Sequence, residues 1–190
     1  MDRLQPGAVP AGRAVSDSGG FPAPVLERAA RVVLVSFDVD GVLTDGRIVY
    51  SERGDEIKAF HVQDGSAIKM LQAEGVQCAI ITGRTSTIVE RRAGELGVAH
   101  VHQGVEDKAS VLEALLARLG IDADRAAHVG DDLPDLPAFA AVGLAIGVPN
   151  GHPAALARTH YVTRTAGGQG VAREVCELVL RARGRWSYGP

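Results

Sequence analysis

Cysteine is nearly absent from this chain: there are two in 190 residues, Cys78 and Cys176, far apart and each set among apolar neighbours. That usage excludes a disulfide framework and a thiolate metal site, and it suits reduced, buried thiols. Aromatic residues are scarce at 4%, with a single tryptophan, Trp186, near the end of the sequence. Twenty basic against twenty-three acidic side chains leave a formal charge of −3, and no block of like charge occurs. A binder of nucleic acid or of a membrane surface would carry a basic patch, so neither class is expected. No apolar run approaches the ~20 residues that cross a bilayer, and the first residues lack the charged-then-apolar pattern of a secretion signal. These absences give the expectation of a cytoplasmic protein.

What is present is a hydrophobic content of 46%, which in 190 residues suffices for one well-packed domain and is too little for two. Residues 1–26 are rich in Pro, Gly, Ala and Ser without apolar periodicity and read as a flexible tail. Residues 184–190 read as a second short tail, in which Trp186 and Tyr188 have a packing role. Between them, over 27–183, short β-rich runs alternate with helical patterns. Strands are expected at 32–37, 77–82, 100–102, 126–130, 144–146 and 161–163, and helices at 66–74, 86–96, 108–119, 133–140 and 171–183. The alternation implies an α/β fold, a Rossmann-like, mostly parallel sheet with helices on both faces. Such sheets bind ligands beyond the carboxyl ends of their strands. One segment departs from the alternation: 46–50 and 56–60 flank a polar turn, the pattern of a β-hairpin. A flap over the ligand site and an ornament at the sheet edge are both compatible with it.

The run Asp38-Val39-Asp40-Gly41-Val42-Leu43-Thr44-Asp45 directly follows the first apolar stretch. Side chains alternate across a strand, but the chain turns beyond its last paired residue, so Asp38 and Asp40 can both point into one pocket. Two carboxylates with no organic base beside them suggest a cation and an anionic substrate. Mg²⁺ prefers octahedral oxygen ligands and often bridges carboxylates to a phosphate. An aspartate can also attack phosphorus and form an acyl phosphate. In isolation the same DxD suits a turn whose acids merely cap the next segment of chain. Other residues converge on it, however. Thr82-Gly83-Arg84 follows the second strand, Lys108 opens the helix after the third, and Gly130-Asp131-Asp132 with Asp135 follows the fourth. Taken singly, each has a plainer role as a cap, a surface lysine or a turn residue. Jointly they bring an acidic cradle, a hydroxyl and an ammonium to one edge of the sheet, a set suited to a metal and a phosphate.

Over 32–183 these motifs resemble the haloacid dehalogenase superfamily, and within it the small lidless phosphatases that act on 3-deoxy-D-manno-octulosonate (KDO) 8-phosphate. The finer resemblance is carried by Asp40-Gly41-Val42-Leu43-Thr44-Asp45-Gly46, Lys58-Ala59-Phe60-His61-Val62, Thr82-Gly83-Arg84, Gly130-Asp131-Asp132-Leu133 and the stretch from Arg164 to Glu174. It implies a Mg²⁺-dependent phosphoric monoester hydrolase with no cap domain, in which Asp38 attacks phosphorus while Asp40 protonates the leaving sugar oxygen and then activates water. It further implies Mg²⁺ held by Asp38, the Asp40 backbone carbonyl and Asp131, with Asp132 or Asp135 acting directly or through water. Thr82, Gly83 and Lys108 are the implied phosphate contacts. In the resembling family the C-terminal loop reaches a neighbouring active site within a homotetramer. Arg84, Gly167, Gly168, Arg164 and Arg173 are therefore candidate substrate contacts, arginine being a bidentate match for the carboxylate of a keto-sugar acid. Where the family commonly has Arg-Asp-Gly-x-Gly, this chain has Gln63-Asp64-Gly65-Ser66-Ala67, a departure that bears on which sugar is accepted. His61, on the same connection, is read as structural. Two alternatives stay open: a phosphatase for nine-carbon acids, such as N-acylneuraminate 9-phosphate or KDN 9-phosphate, and a non-catalytic tetramerising module of the same fold.

Overall fold

The computed structural model describes residues 18–188. Its strands are β1 (Leu34–Phe37), β2 (Val49–Tyr50), β3 (Glu56–Ile57), β4 (Gln77–Ile81), β5 (His100–His102), β6 (Ala126–Gly130), β7 (Leu144–Gly147) and β8 (Tyr161–Val162). Six of them form one parallel sheet in the order β5-β4-β1-β6-β7-β8, and β2 and β3 pair separately as an antiparallel hairpin. The helices are α1 (Ala23–Ala29), α2 (Val62–Ala73), α3 (Thr87–Leu96), α4 (Lys108–Leu119), α5 (Leu136–Ala140), α6 (Pro153–Leu156) and α7 (Val171–Ala182). The expected α/β class and the hairpin are both present.

β1 lies mid-sheet because all four of its residues are buried, which only a strand covered on both faces requires. Alternation sorts its side chains. Val35 and Phe37 join Ile80, Val129 and Ile146 in a core built with Ile68, Leu71, Val175 and Val179 of α2 and α7. Leu34 faces the other way, with Ala79 and Ile81, against Leu112 and Leu115 of α4. Both cysteines are buried and free, their thiols pushed up to about 12 by burial. Among the described residues no helix is long and apolar enough to cross a membrane.

Two local expectations are corrected. Of the tail assigned to 1–26, residues 1–17 lie outside the described residues, but Phe21 and Val25 are core members and α1 begins at Ala23. Pro24 sits in the first turn of α1, where its missing N–H is not needed, so a composition that reads as a tail is compatible with a short docked helix. At the other end, Trp186 packs on the core edge and meets Tyr188 edge-on, with ring centroids 5.4 Å apart. The helix expected over 133–140 is divided into a tight turn, Leu133–Asp135, and α5. Pro137 cannot donate the hydrogen bond that would make the two continuous.

Candidate active site

Register builds the site. Phe37 pairs with Ile80 on one side and Val129 on the other, so the residues just beyond, Asp38, Thr82 and Asp131, emerge from adjacent strands at the carboxyl edge. Asp38 is anchored through its own N–H, which donates to the Val129 carbonyl at 2.9 Å. The chain then enters a wide turn over Val39–Leu43. The Thr44 N–H donates to the Val39 carbonyl at 3.0 Å. The Thr44 hydroxyl also donates to that carbonyl and accepts from the amides of Gly41 and Gly46. Gly41 sits at φ +102°, and a Cβ there would lie 2.1 Å from Asp131 Oδ2. Only glycine lets the first acidic loop approach the second this closely.

One carboxylate oxygen from each of Asp38, Asp131 and Asp135 lies within 4.8 Å of the others. Lys108, 3% exposed, reaches into this cluster from the start of α4, with Nζ 3.0 Å from Asp38 Oδ2 and 2.6 Å from Asp135 Oδ1. Burial works against its charge, but the two carboxylates more than offset that and hold its pKa above the ordinary lysine value. Asp38 is raised above the usual carboxylate range by burial, despite Lys108. Asp135, fully buried, has every acceptor position taken. Oδ1 receives Lys108 and His128, and Oδ2 receives the amides of Asp131 and Asp132 at 2.9 and 3.1 Å. Burial alone would raise Asp135, but its hydrogen bonds from His128 and Lys108 win and keep it well below the ordinary value.

A divalent cation fits this donor set. Three carboxylates face one ammonium, and Asp131 Oδ1 is a buried oxygen with no hydrogen-bond partner. Asp38 and Asp131 have free donor capacity, while Asp135 would have to surrender an existing bond to act as a ligand. The Asp132 carboxylate turns to its own helix start and accepts from Leu133 N at 2.8 Å.

The hairpin resolves toward a flap. Lys58, just past β3 and 2% exposed in its side chain, donates to Asp40 Oδ1 and lies 3.5 Å from Glu56. Arg84 places Nε 3.7 Å from Asp40 Oδ2 and donates to Glu56 Oε1 at 2.7 Å. Asp40 therefore stands between two cations supplied by different elements. Lys58 and Glu56 carried no assigned role in the sequence, where a polar residue on a short hairpin looks like any solvated one.

Gly167 and Gly168 come to the site in a different capacity from the one expected. The Gly167 amide donates to Asn150 Oδ1 at 2.7 Å, Asn150 Nδ2 donates to the Gly41 carbonyl at 3.0 Å, and the Gly168 amide donates to the Val42 carbonyl at 2.9 Å. A Cβ on Gly167 would sit 1.7 Å from the Gly41 oxygen. Within the chain these glycines brace the turn behind Asp40, and Asn150, which no sequence signal marked, is the pin. The two later arginines are not brought to the cluster. Arg164 stacks over Phe21, 4.8 Å from the ring centroid, and donates to the Gly19 carbonyl. Arg173 donates to the Gln63 carbonyl and to Met70 Sδ along α2.

Comparison with known proteins adds a family model, haloacid dehalogenase-like hydrolase, that matches residues 52–143. The chain is 46% identical over 159 residues to the 3-deoxy-D-manno-octulosonate 8-phosphate phosphatase of Yersinia pestis, spanning 84% of this chain and 85% of the relative. It is 44% identical over 167 residues to the enzyme of the same name from Escherichia coli K12, spanning 88% and 89%. Among solved structures, the Moraxella catarrhalis 3-deoxy-D-manno-octulosonate 8-phosphate phosphatase in complex with magnesium ion, phosphate ion and KDO superposes with a TM-score of 0.83. The identity is 46%, over 85% of this chain and 92% of that one.

Proposed function

Because the chain belongs to the haloacid dehalogenase-like hydrolases, and within them to the 3-deoxy-D-manno-octulosonate 8-phosphate phosphatases, we propose that it hydrolyses KDO 8-phosphate to KDO and phosphate. The observation that carries this reading is the buried cluster in which Lys108 links Asp38 to Asp135 beside the unpartnered oxygen of Asp131. A non-catalytic module has no need to hold three carboxylates and a lysine together with so little exposure.

In this reading Asp38 attacks phosphorus, and the phosphorus–oxygen bond to the sugar breaks as Asp40 gives its proton to the departing C8 oxygen. The product is an acyl phosphate on Asp38. Asp40, now ionised, takes a proton from water, whose oxygen attacks phosphorus and releases phosphate and free Asp38. Lys58 and Arg84 flank the Asp40 carboxylate from two different elements and orient it toward the leaving oxygen and the water. Lys108, Thr82 and the Gly83 amide hold the phosphoryl oxygens. Asp38, Asp131 and the Asp40 backbone carbonyl would hold Mg²⁺, which when bound supplies charge neutralisation for the transferring group. Asp135 serves this set by anchoring Lys108 and the Asp131 amide. Arg84 is the proposed contact for the sugar's carboxylate. The exposed apolar side chains of the hairpin region, Ile48, Val49, Tyr50, Ile57 and Val62, support a homotetramer in which the flaps meet. Two free buried thiols support a cytoplasmic setting.

The test is phosphate release by the purified chain from KDO 8-phosphate, N-acylneuraminate 9-phosphate, KDN 9-phosphate and a hexose phosphate, with Mg²⁺ or with chelator. We expect metal-dependent release with KDO 8-phosphate preferred, and at least about a thousandfold loss in Asp38→Asn, on the order seen when a nucleophile is removed. Release confined to the hexose phosphate, or undiminished in Asp38→Asn, would defeat the proposal.

A further inference from the structure

Beneath the acidic cluster, on the sheet face covered by α4 and α5, lie two polar side chains that phosphoryl transfer does not use. Ser36 in β1 and His128 in β6 are register neighbours, and both are fully buried. Ser36 Oγ lies 2.9 Å from His128 Nδ1 and 3.2 Å from the Ala127 carbonyl. His128 Nε2 lies 3.0 Å from Asp135 Oδ1, and Phe139 closes over the imidazole with ring centroids 5.6 Å apart. An ionised carboxylate only accepts, so Nε2 carries the proton of that bond. With Ser36 on one nitrogen and Asp135 on the other, the ring has a single orientation. Apolar residues at both positions would bury this face with less desolvation cost, so packing does not explain the pair.

We infer that Ser36 and His128 form a buried clamp that fixes Asp135 and, through it, Lys108 and the backbone of Asp131 and Asp132. The inference deepens the phosphatase reading and rests on it. Asp135 Oδ1 has two donors, Lys108 and His128. If His128 is removed, one lone pair is left unmet in a dry interior, and the carboxylate satisfies it by rotating or by drawing Lys108 closer. Lys108 is shared, 2.6 Å from Asp135 and 3.0 Å from Asp38, so a gain on the first contact is a loss on the second. His128 touches no reacting atom; it is a positioning residue.

The experiment is steady-state phosphate release from KDO 8-phosphate by the full chain, comparing wild type with His128→Leu, His128→Gln and Ser36→Ala, each with its thermal unfolding midpoint. His128→Leu is expected to lower kcat about tenfold, the scale of supporting-residue losses at metal sites, while KM stays within about twofold. His128→Gln, whose amide N–H can reach the same carboxylate oxygen, is expected to recover most of kcat. A merely structural histidine would lower the midpoint, leave kcat per folded molecule intact and show no advantage of Gln over Leu; that result overturns the clamp. If His128→Leu does not fold, Ser36→Ala decides. A kcat lowered about threefold at unchanged KM supports the clamp, on the scale of one buried hydrogen bond, and a kcat equal to wild type overturns it. A silent wild type defeats the phosphatase reading and this inference together, whereas an active wild type matched by a folded His128→Leu defeats the clamp alone.

Discussion

At the scale of the residue, Asp131 carries the mutual repulsion of the acidic cluster. Burial, and then the carboxylates of Asp38 and Asp135, push it up to about 7 from an ordinary value of 3.8. Between about pH 4 and 7 the folded chain therefore binds more protons at this position than the unfolded chain, and its contribution to stability falls as pH rises through that window. In chelator at pH 7, Asp131→Asn should unfold at a higher temperature than wild type, by a few degrees at roughly 2–4 °C per kcal/mol for a domain of this size. The gain should shrink toward pH 4. Saturating Mg²⁺ should invert the order, because only the wild type retains the full ligand set and gains stability by mass action. Scanning calorimetry at two pH values with and without the ion checks this, and a variant less stable than wild type in chelator at pH 7 would contradict it. Asp38 and Asp131 stood out in the sequence as acids at strand ends. That Asp135 spends all four acceptor positions on Lys108, His128 and two amides could not be read there, because hydrogen-bond saturation is a property of neighbours brought in from other elements.

At the scale of the element, the segment carrying Gly167 and Gly168 was legible as a glycine-rich loop and illegible as a brace. Local sequence reports conformational freedom, and these two positions answer to a close approach from residues more than 120 positions earlier, Gly41 and Val42. Gly167→Ala would force its Cβ into the Gly41 carbonyl. The expected cost is about 1–3 kcal/mol of stability, as for overpacking elsewhere, with a fall in kcat larger than in Asn150→Ala, which removes the pin without adding bulk. Chemical denaturation and steady-state kinetics on both variants test this; an alanine tolerated at position 167 without loss of either would show that the loop does not brace the turn. The hairpin presents the converse case. Its strands were evident from alternation around a polar turn, while its place over Asp40 depended on Lys58 and Arg84 converging from separate elements.

At the scale of the whole molecule, the described N-terminal segment is part of the fold. Phe21 meets Tyr161 edge-on with ring centroids 5.8 Å apart and lies beneath Arg164, whose chain neighbourhood is fastened by Glu174 through the amides of Arg164 and Thr165. The segment thus closes over the β8 end of the sheet, far along the strand order from Asp38. Phe21→Ala should cost about 3 kcal/mol of unfolding free energy, the lower part of the range for a buried phenylalanine. It should leave KM and kcat at moderate temperature close to wild type, since no cluster residue depends on the ring. Denaturant titration beside an activity assay separates the two effects, and a midpoint unchanged from wild type would return the segment to the status of a tail.

What the sequence determined by itself was the alternation of strands and helices, the carboxyl edge on which the acids gather, and the family whose motifs they spell. Each of these arises from short-range patterns: apolar periodicity, strand-end turns, and residues a few positions apart. Only the tertiary structure decided which acids keep free oxygens for a cation and which are spent on positioning, that Arg164 is committed to the N-terminal segment, and that Ser36 and His128 stand behind Asp135. Those outcomes depend on burial and on partners that parallel strand order makes adjacent across long stretches of chain, and neither is encoded within any one segment.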